Sequence, residues 1–202
     1  ADWYSPDLRA VIAVGDFDKS TVKELIKQHF ASLPMPPSPR PRPDFEVPDH
    51  AETLFAIATD KEAFTTSVSV CNLLPPADQK TVGAYRRAII EQFYAAMLNR
   101  RFAGLGQKPN PPFLNAFAGR GGFVRSQDAA TLSAMVKEDG IERGLDALLT
   151  ESERISRFGF TPTELEREKR DDLRKMEQLY AEREKQESEL FASEYIRNFL
   201  QK

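Results

Sequence analysis

The chain has 202 residues, of which 41% are hydrophobic, so it is long enough to bury one sizeable core. Its 28 Lys and Arg residues stand against 31 Asp and Glu residues, a formal charge of -3 without a long block of like charge, which disfavours nucleic acid and an anionic membrane as partners. No apolar run approaches the roughly eighteen residues of a membrane-spanning helix, and residues 1–10 lack the features of a signal peptide.

The first two elements are predicted from residues 10–30. The apolar run AVIAV at 10–14 predicts a central strand. Asp18 then begins a predicted helix, whose apolar stripe includes His29 as a partly buried, satisfied side chain rather than a ligand. Gly15 and Asp16 are expected to form a structural turn between the two elements. An anion site at this turn is disfavoured, because Asp16 and Asp18 would repel the anion.

The proline-rich stretch PMPPSPRPRP at 34–43 predicts an extended internal connector, since each proline removes a backbone donor and fixes φ. Its PxxP-like spacing leaves open a polyproline II ligand for another protein.

Two strands are predicted at 53–59 and 64–74, joined by the turn DKEA in a hairpin. Cys71, the only cysteine, lies in the second apolar run and is expected to be a buried, inert thiol. Asp78 is predicted to cap the next helix. Arg100 and Arg101 are expected near its C-terminal end, where cations complement the helix dipole; contact with a peptide or another domain is the alternative.

A second strand pair is predicted at 112–125 and 129–139, in which the glycines of AGRGGFVR mark a bulge; an anion-binding nest with Arg120 and Arg125 is the alternative. Asp139 with Glu142 predicts a capping box for the helix that follows, and Gly159 suits its C-terminal end.

The last helical stretch begins with the strongest local signal, Thr161 as cap, Pro162 in the first turn and Glu164 reaching back. Charges alternate over 164–173 as on a solvated helix face. The apolar pattern lapses over 181–189, which predicts a break there.

The resulting order is β-α-ββ-α-ββ-α-α. It predicts an α+β two-layer sandwich, with helices packed on one face of a mainly antiparallel sheet, as one domain over 1–202. The only histidines, His29 and His50, are twenty-one residues apart, so neither H-E-x-x-H nor H-x-x-E-H is present. No metal ligands are therefore predicted in this chain. Spacing alone leaves a Ser-His-Asp or Cys-His set open, but no G-x-S-x-G turn supports one, so no catalytic residues are predicted.

The stretch WYSPDLRAVIAVGDFDKSTVKELIKQHFASLP, residues 3–34, resembles the opening of the non-catalytic, C-terminal-type domain of the insulinase, pitrilysin and mitochondrial processing peptidase family of zinc metallopeptidases. The matching residues are Trp3, Tyr4, Pro6, Gly15, Asp16, Phe30, Leu33 and Pro34. The likeness continues through LNRRF, FGFT and Glu164-Leu165, and is nearest to long bacterial periplasmic members built from four such domains.

This resemblance implies a domain excised from a longer zinc peptidase. The zinc and its ligands would lie in a catalytic domain of the same polypeptide, against which this inactive scaffold would pack to form part of a chamber for a peptide substrate. Some members supply a substrate-contacting Arg and Tyr from a late domain. Arg101 matches the Arg, but Phe113 stands where Tyr is expected and the spacing is longer, so both residues are candidates for a substrate wall or for domain packing without a catalytic role.

The resemblance also implies a periplasmic location. The alternative function is an independent protein-interaction module that uses the proline-rich segment or the C-terminal helix. A stand-alone hydrolase is the least favoured interpretation.

Overall fold

The computed structural model describes residues 6–35, 37–38, 41, 43, 45–78 and 80–200. Trp3, Tyr4 and four positions of the proline-rich connector lie outside these residues, and the described connector positions adopt neither helix nor strand. The chain divides into two compact units, one formed by Ala1–Pro43 with Met176–Lys202 and the other by Asp44–Lys175. The single domain over 1–202 stays a prediction.

The first unit contains helix α1 (Lys19–Phe30) and, at its C-terminal end, helix α5 (Ser188–Leu200). Asp18 caps α1 as predicted, since its carboxylate accepts a hydrogen bond from the Thr21 backbone nitrogen at 2.7 Å. Gly15 and Asp16 lie in a bend just before this cap. His29 is exposed rather than partly buried.

The strand predicted at 10–14 is wrong, because these residues form no regular strand in the structure. The Val11 side chain is 45% exposed. An apolar run favours burial, but a strand also needs a hydrogen-bonded neighbour, and sequence periodicity carries no information about that neighbour.

The second unit is built on three antiparallel strands with the order β1-β3-β2. The sheet is accompanied by helices α2 and α3 and by the first part of helix α4. The bounds of these elements are β1 Thr66–Leu74, α2 Val82–Gly106, β2 Asn115–Val124, β3 Gln127–Val136, α3 Ile141–Phe158 and α4 Pro162–Ala181. The protein is therefore of the predicted α+β class, with a mainly antiparallel sheet.

The core lies between one face of this sheet and helices α2 and α3. Paired residues of antiparallel strands share a face, and the pairs Val68 with Ala134 and Ala118 with Leu132 all belong to the core side. Their neighbours from the helices include Phe102 and the fully buried residues Leu98 and Leu148. The helices thus cover one face of the sheet, as predicted.

Close packing of α3 on the sheet depends on a glycine. A Cβ added at Gly144 would lie 2.4 Å from Val136 Cγ1 and 3.6 Å from Val68 Cγ1. Because the α3 backbone at Gly144 lies this close to side chains of the sheet, a side chain at position 144 would have to displace Val136.

Several predicted helix ends are corrected. Thr81, not Asp78, caps α2 by accepting from the Ala84 backbone nitrogen at 3.0 Å, and Gly140, not Asp139, precedes α3 without a side-chain cap. Asp78 and Asp139 are residue types that often cap helices, but each lies one to three residues before the position that the structure uses, and residue type alone does not select between such neighbours. Helix α2 also continues to Gly106, so its arginines do not lie in its last turn.

Other helix signals are confirmed. Gly159 follows α3 with a φ of 68°, the left-handed conformation that favours glycine. Thr161 and Glu164 form the capping box, with Thr161 N donating to Glu164 Oε2 at 2.7 Å and Glu164 N donating to Thr161 Oγ1 at 3.3 Å. The helical stretch breaks after Ala181 and resumes at Ser188.

The segment 53–59 was predicted as a strand and is not one. Its side chains Phe55 and Ile57 are 88% and 91% exposed, although the following strand β1 forms as predicted over Thr66–Leu74. The prediction for Cys71 is also wrong, because the thiol is exposed on the sheet face opposite the core, 3.6 Å from Thr131 Oγ1.

Candidate functional site

Arg101 of α2 is the centre of an ion-pair cluster that joins three helices. Its Nε donates to Glu164 Oε1 at 2.6 Å and its Nη2 to Glu164 Oε2 at 2.9 Å, a two-point contact that suits the planar guanidinium. Its Nη1 donates to Glu151 Oε1 at 3.0 Å, and Nη2 also donates to the Gly159 carbonyl oxygen at 3.2 Å. The guanidinium carbon lies 5.0 Å from the ring centroid of Phe160, within cation-π distance.

The neighbouring Arg100 makes a second bridge from α2 to α4. Its Nε donates to Glu168 Oε2 at 2.7 Å and its Nη2 to Asp171 Oδ2 at 2.5 Å. Glu168 is buried, so this pair is shielded from water on the carboxylate side. We call Arg100, Arg101, Glu151, Glu164, Glu168 and Asp171 the α2 clamp.

The ion pair between Arg101 and Glu164 moves the pKa values of both groups away from neutral pH. The hydrogen bond from Arg101 lowers the pKa of Glu164 to about 2, helped by the bonds from Thr161 and opposed by desolvation. The bond to Glu164 in turn raises the pKa of Arg101 above its usual value. A general acid or base works best with a pKa near the operating pH, so Glu164 is not suited to proton transfer.

The two predicted site residues, Arg101 and Phe113, lie in different surroundings. Arg101 lies in the α2 clamp, and four of its donated hydrogen bonds end on protein oxygens. Phe113 lies in the core, only 3% exposed, with its ring centroid 6.0 Å from that of Phe102 in an edge-to-face contact. In this arrangement both side chains are occupied by internal contacts.

The carboxylate members of the clamp were underestimated from the sequence. Residues 164–173 were interpreted as a solvated face with weak ion pairs, yet Glu168 is buried and pairs across helices. Glu151 was not singled out at all. Its signal was present, because Glu151 lies three residues after Leu148 and four before Ile155, on the apolar stripe of α3, where a carboxylate requires a partner.

Of the two arginines in the predicted anion-binding nest, Arg120 is already paired with acidic side chains. Arg120 donates to Asp128 Oδ2 and Glu91 Oε1, each at 3.1 Å, and to the Pro75 carbonyl oxygen at 2.8 Å. Arg125 lines an open cleft with Glu46 and Asp49 among its other lining residues. Acidic side chains therefore contact Arg120, and two more line the same cleft as Arg125.

Metal ligation is not supported within the part of the chain that the structure describes. No group of three or more His, Cys, Asp or Glu side chains there has the arrangement to hold a metal ion. Over the same residues, no helix combines the length and hydropathy that are needed to cross a bilayer. The polar cluster and fold define an α+β domain whose charged residues hold helices together.

The family model that matches this chain is the Peptidase M16 inactive domain, over residues 1–171. The chain belongs to this family of inactive peptidase domains. It is 31% identical over 201 residues to a zinc protease PQQL-like protein of Arabidopsis thaliana, and 23% identical over 164 residues to a probable zinc protease PqqL of Haemophilus influenzae. These alignments cover 99% and 81% of the chain but 18% of each relative, so the chain corresponds to a small part of those proteins.

Solved structures share the fold. The first half of the periplasmic protease PqqL from Escherichia coli matches 93% of this chain, and 40% of that structure, with a TM-score of 0.78 at 18% identity. A predicted insulinase family protease from Yersinia pestis matches 91% of the chain and 39% of that structure, with a TM-score of 0.66 at 13% identity.

Proposed function

We propose that this chain is a scaffold and substrate-chamber domain of a zinc metallopeptidase. It packs against a separate zinc-bearing catalytic domain of the same polypeptide and performs no catalysis itself. The observation that carries the proposal is membership of an inactive peptidase family, in a chain that covers only 18% of relatives named as zinc proteases.

The residues of the α2 clamp support a structural rather than a chemical role. Arg101 and Glu164 hold each other in their charged forms, and Phe113 fills the core beside Phe102. Of the two roles predicted for Arg101 and Phe113, we favour packing: they keep α2, α3 and α4 in place and so preserve the surface that meets the rest of the peptidase.

Exposed apolar side chains of the second unit could form the surface that contacts the rest of the peptidase. Tyr85 on α2 is 67% exposed, and Phe117 projects from the sheet face that the helices leave open. A domain that packs against a neighbour needs apolar area of this kind at its surface. The zinc belongs to the catalytic partner, and the peptide substrate binds between the domains of the parent, for which we propose the periplasm on the likeness to PqqL.

The test compares the parent polypeptide with and without this segment. We expect the 202-residue chain alone to bind no stoichiometric zinc and to cleave no quenched fluorescent peptide, and the remainder of the parent to lose most of its activity until the chain is added back. Tyr85→Asp should weaken this rescue more than Arg86→Asp, its exposed neighbour on α2. Turnover with bound zinc in the chain alone, or full activity of the remainder, would refute the proposal.

A second candidate function has one observation in its favour. Helix α5 exposes several large apolar side chains, which suits an independent interaction module. They are Leu190, Phe191, Tyr195, Ile196, Phe199 and Leu200. If the remainder of the parent is fully active alone while Tyr195→Asp abolishes binding to a different protein, this function replaces the scaffold.

A further inference from the structure

Strand β1 carries an open row of backbone hydrogen-bonding groups along one edge of the sheet. It pairs with β3 in a regular register over Thr66–Leu74, and no strand among the described residues pairs with its other side. We propose that this edge pairs with β1 of a second copy of the chain, so that the two sheets join into one continuous antiparallel sheet. The proposal is independent of the function proposed above.

A contact at the opposite edge of the sheet shows which backbone groups of β1 point outward. Asn99 bonds both the N–H and the C=O of Ala118, so these groups point away from β3. The backbone groups of its partner Leu132 therefore point toward β1, where they bond Val70. By alternation, the outward groups of β1 belong to Ser67, Ser69, Cys71 and Leu73.

The sequence of β1 contains none of the features that commonly protect an exposed edge, which are Lys, Pro and β-bulges. Its residues TSVSVCNLL include no charge and no proline, and its register with β3 has no bulge. The other edge strand, β2, has an irregular register between Gly122 and Val124 and is contacted by Asn99. A strand that approaches β1 therefore meets available hydrogen-bonding groups and no charged side chain on β1.

A second copy suits this edge because β1 is complementary to itself. Antiparallel pairing about Val70 uses all 9 residues of the strand and places no like charges opposite each other. In this register the outward groups of Ser69 bond those of Cys71 in the other copy, and those of Ser67 bond those of Leu73. Val70 faces Val70 of the other copy in a non-hydrogen-bonded pair, where side chains lie closest. Since Val70 is only half-buried in one copy, the pairing also removes apolar area from water.

Helix α3 adds an apolar flank beside the same edge. Glu151 and Arg143 of α3 contact α2 and the loop that follows it, whereas Gly144 lies against the sheet. The flank of α3 that turns away from α2 carries three apolar residues at helical spacing, Ile141, Leu145 and Leu149. Because α2 packs on β2 at the other edge, this flank lies on the β1 side. Two-fold pairing of β1 brings it toward the same flank of the other copy, and its end residues Ile141 and Leu149 are 45% and 46% exposed.

Sedimentation of the 202-residue chain tests the pairing, with a reductant present so that no disulfide contributes. We expect a dimer whose fraction rises with protein concentration. Ser69→Pro removes an outward N–H and leaves the ladder to β3 intact, so it should weaken the dimer about tenfold or more. The control Ser69→Ala keeps the N–H and should keep the dimer. A chain that stays monomeric up to about 1 mM, or a dimer equally tight in Ser69→Pro, would overturn the proposal.

Disulfide trapping tests the register. In a Cys71→Ser background, Val70→Cys should cross-link two copies on mild oxidation, because the Cα atoms of a facing non-hydrogen-bonded pair are about 4.5 Å apart. Val68→Cys in the same background is the control, since it lies on the same strand and face but four positions, about 13 Å, from its counterpart. Cross-linking should be about tenfold faster for Val70→Cys, and equal rates would overturn the register. Slow hydrogen exchange of the Ser67 and Ser69 amides in a monomer would overturn the proposal by showing that the same chain covers the edge.

Discussion

The two edge strands of the sheet, β1 and β2, differ in what contacts their outward backbone groups. At the β2 edge, Asn99 reaches from α2, accepts a hydrogen bond from Ala118 N at 2.7 Å and donates to the Ala118 carbonyl oxygen at 2.9 Å. At the β1 edge the described residues include no neighbouring strand, and the apolar segment Thr53–Thr59 is exposed beside it in the chain. A single amide can thus occupy the backbone groups through which another strand would add.

The two sheet edges differ because different helices pack beside them. Asn99 can reach β2 only because α2 lies along that strand, and the neighbouring Arg100 and Arg101 tie α2 to α3 and α4. On the β1 side, α3 instead approaches through the small residue Gly144. One side therefore relies on directional polar contacts and the other on close apolar packing. Four predictions separate these two modes, in order of decreasing effect.

Breaking the α2 clamp should have the largest effect. Arg101→Met leaves Glu164 without its cation and leaves the buried Glu151 with Arg154 alone, at 3.7 Å. Removing one partner of a buried ion pair costs about 3–5 kcal/mol of the free energy of unfolding. Urea unfolding measures this loss. The control Arg157→Met, at the exposed ion pair with Glu153 outside the clamp, should change stability by about 0–1 kcal/mol. A loss for Arg101→Met as small as the control's would contradict the clamp.

The second largest effect should be the pH dependence that Glu164 gives to the free energy of unfolding. Because the pKa of Glu164 is lowered to about 2 in the folded chain, its stabilisation is complete above its ordinary value of 4.5 and is lost as pH falls toward 2. The unfolding free energy should therefore fall by about 2–3 kcal/mol more in the unmodified chain than in Glu164→Gln across that window. The difference between the two profiles cancels the other carboxylates, and superimposable profiles would refute the assignment.

Opening the β2 edge should come third. Asn99→Ala leaves the buried N–H and C=O of Ala118 without partners, which costs about 1–3 kcal/mol. It also makes the edge more like that of β1, so concentration-dependent association should increase in light scattering. The control Asn72→Ala, at an exposed position of β1, should alter neither measurement.

Crowding the β1 side should give the smallest net effect. Gly144→Ala places a methyl group against Val136, which costs about 1–3 kcal/mol, and recovers about 1 kcal/mol of helix propensity. The net loss should be about 1 kcal/mol in thermal or urea unfolding. Gly104→Ala, in α2 with open space at its Cβ, should instead stabilise the chain, and equal effects at the two glycines would show that α3 does not approach the sheet closely.

Local features were predictable because their causes lie within a few residues. The Asp18 cap, the Thr161–Glu164 capping box and the break after Ala181 all depend on neighbours in the sequence, and all three form in the structure. The strands at 10–14 and 53–59 were not correctly predicted because a strand depends on a partner distant in sequence. The role of Glu151 was missed because its closest cation, Arg101, comes from another helix fifty positions away, whereas Arg154 of the same helix lies at 3.7 Å.

The sequence by itself determined the α+β class, the starts of α1 and α4, the three strands that form and the family to which the chain belongs, because periodicity, caps and motif order are properties of the linear chain. Only the tertiary structure decided that Arg101 and Phe113 make internal contacts and that Cys71 is exposed. It also decided that Asn99 covers the β2 edge of the sheet, whereas no strand among the described residues pairs with the β1 edge. Those outcomes depend on which distant groups meet, and hydrogen bonds and ion pairs form only where the packed helices and strands bring their partners within about 3 Å.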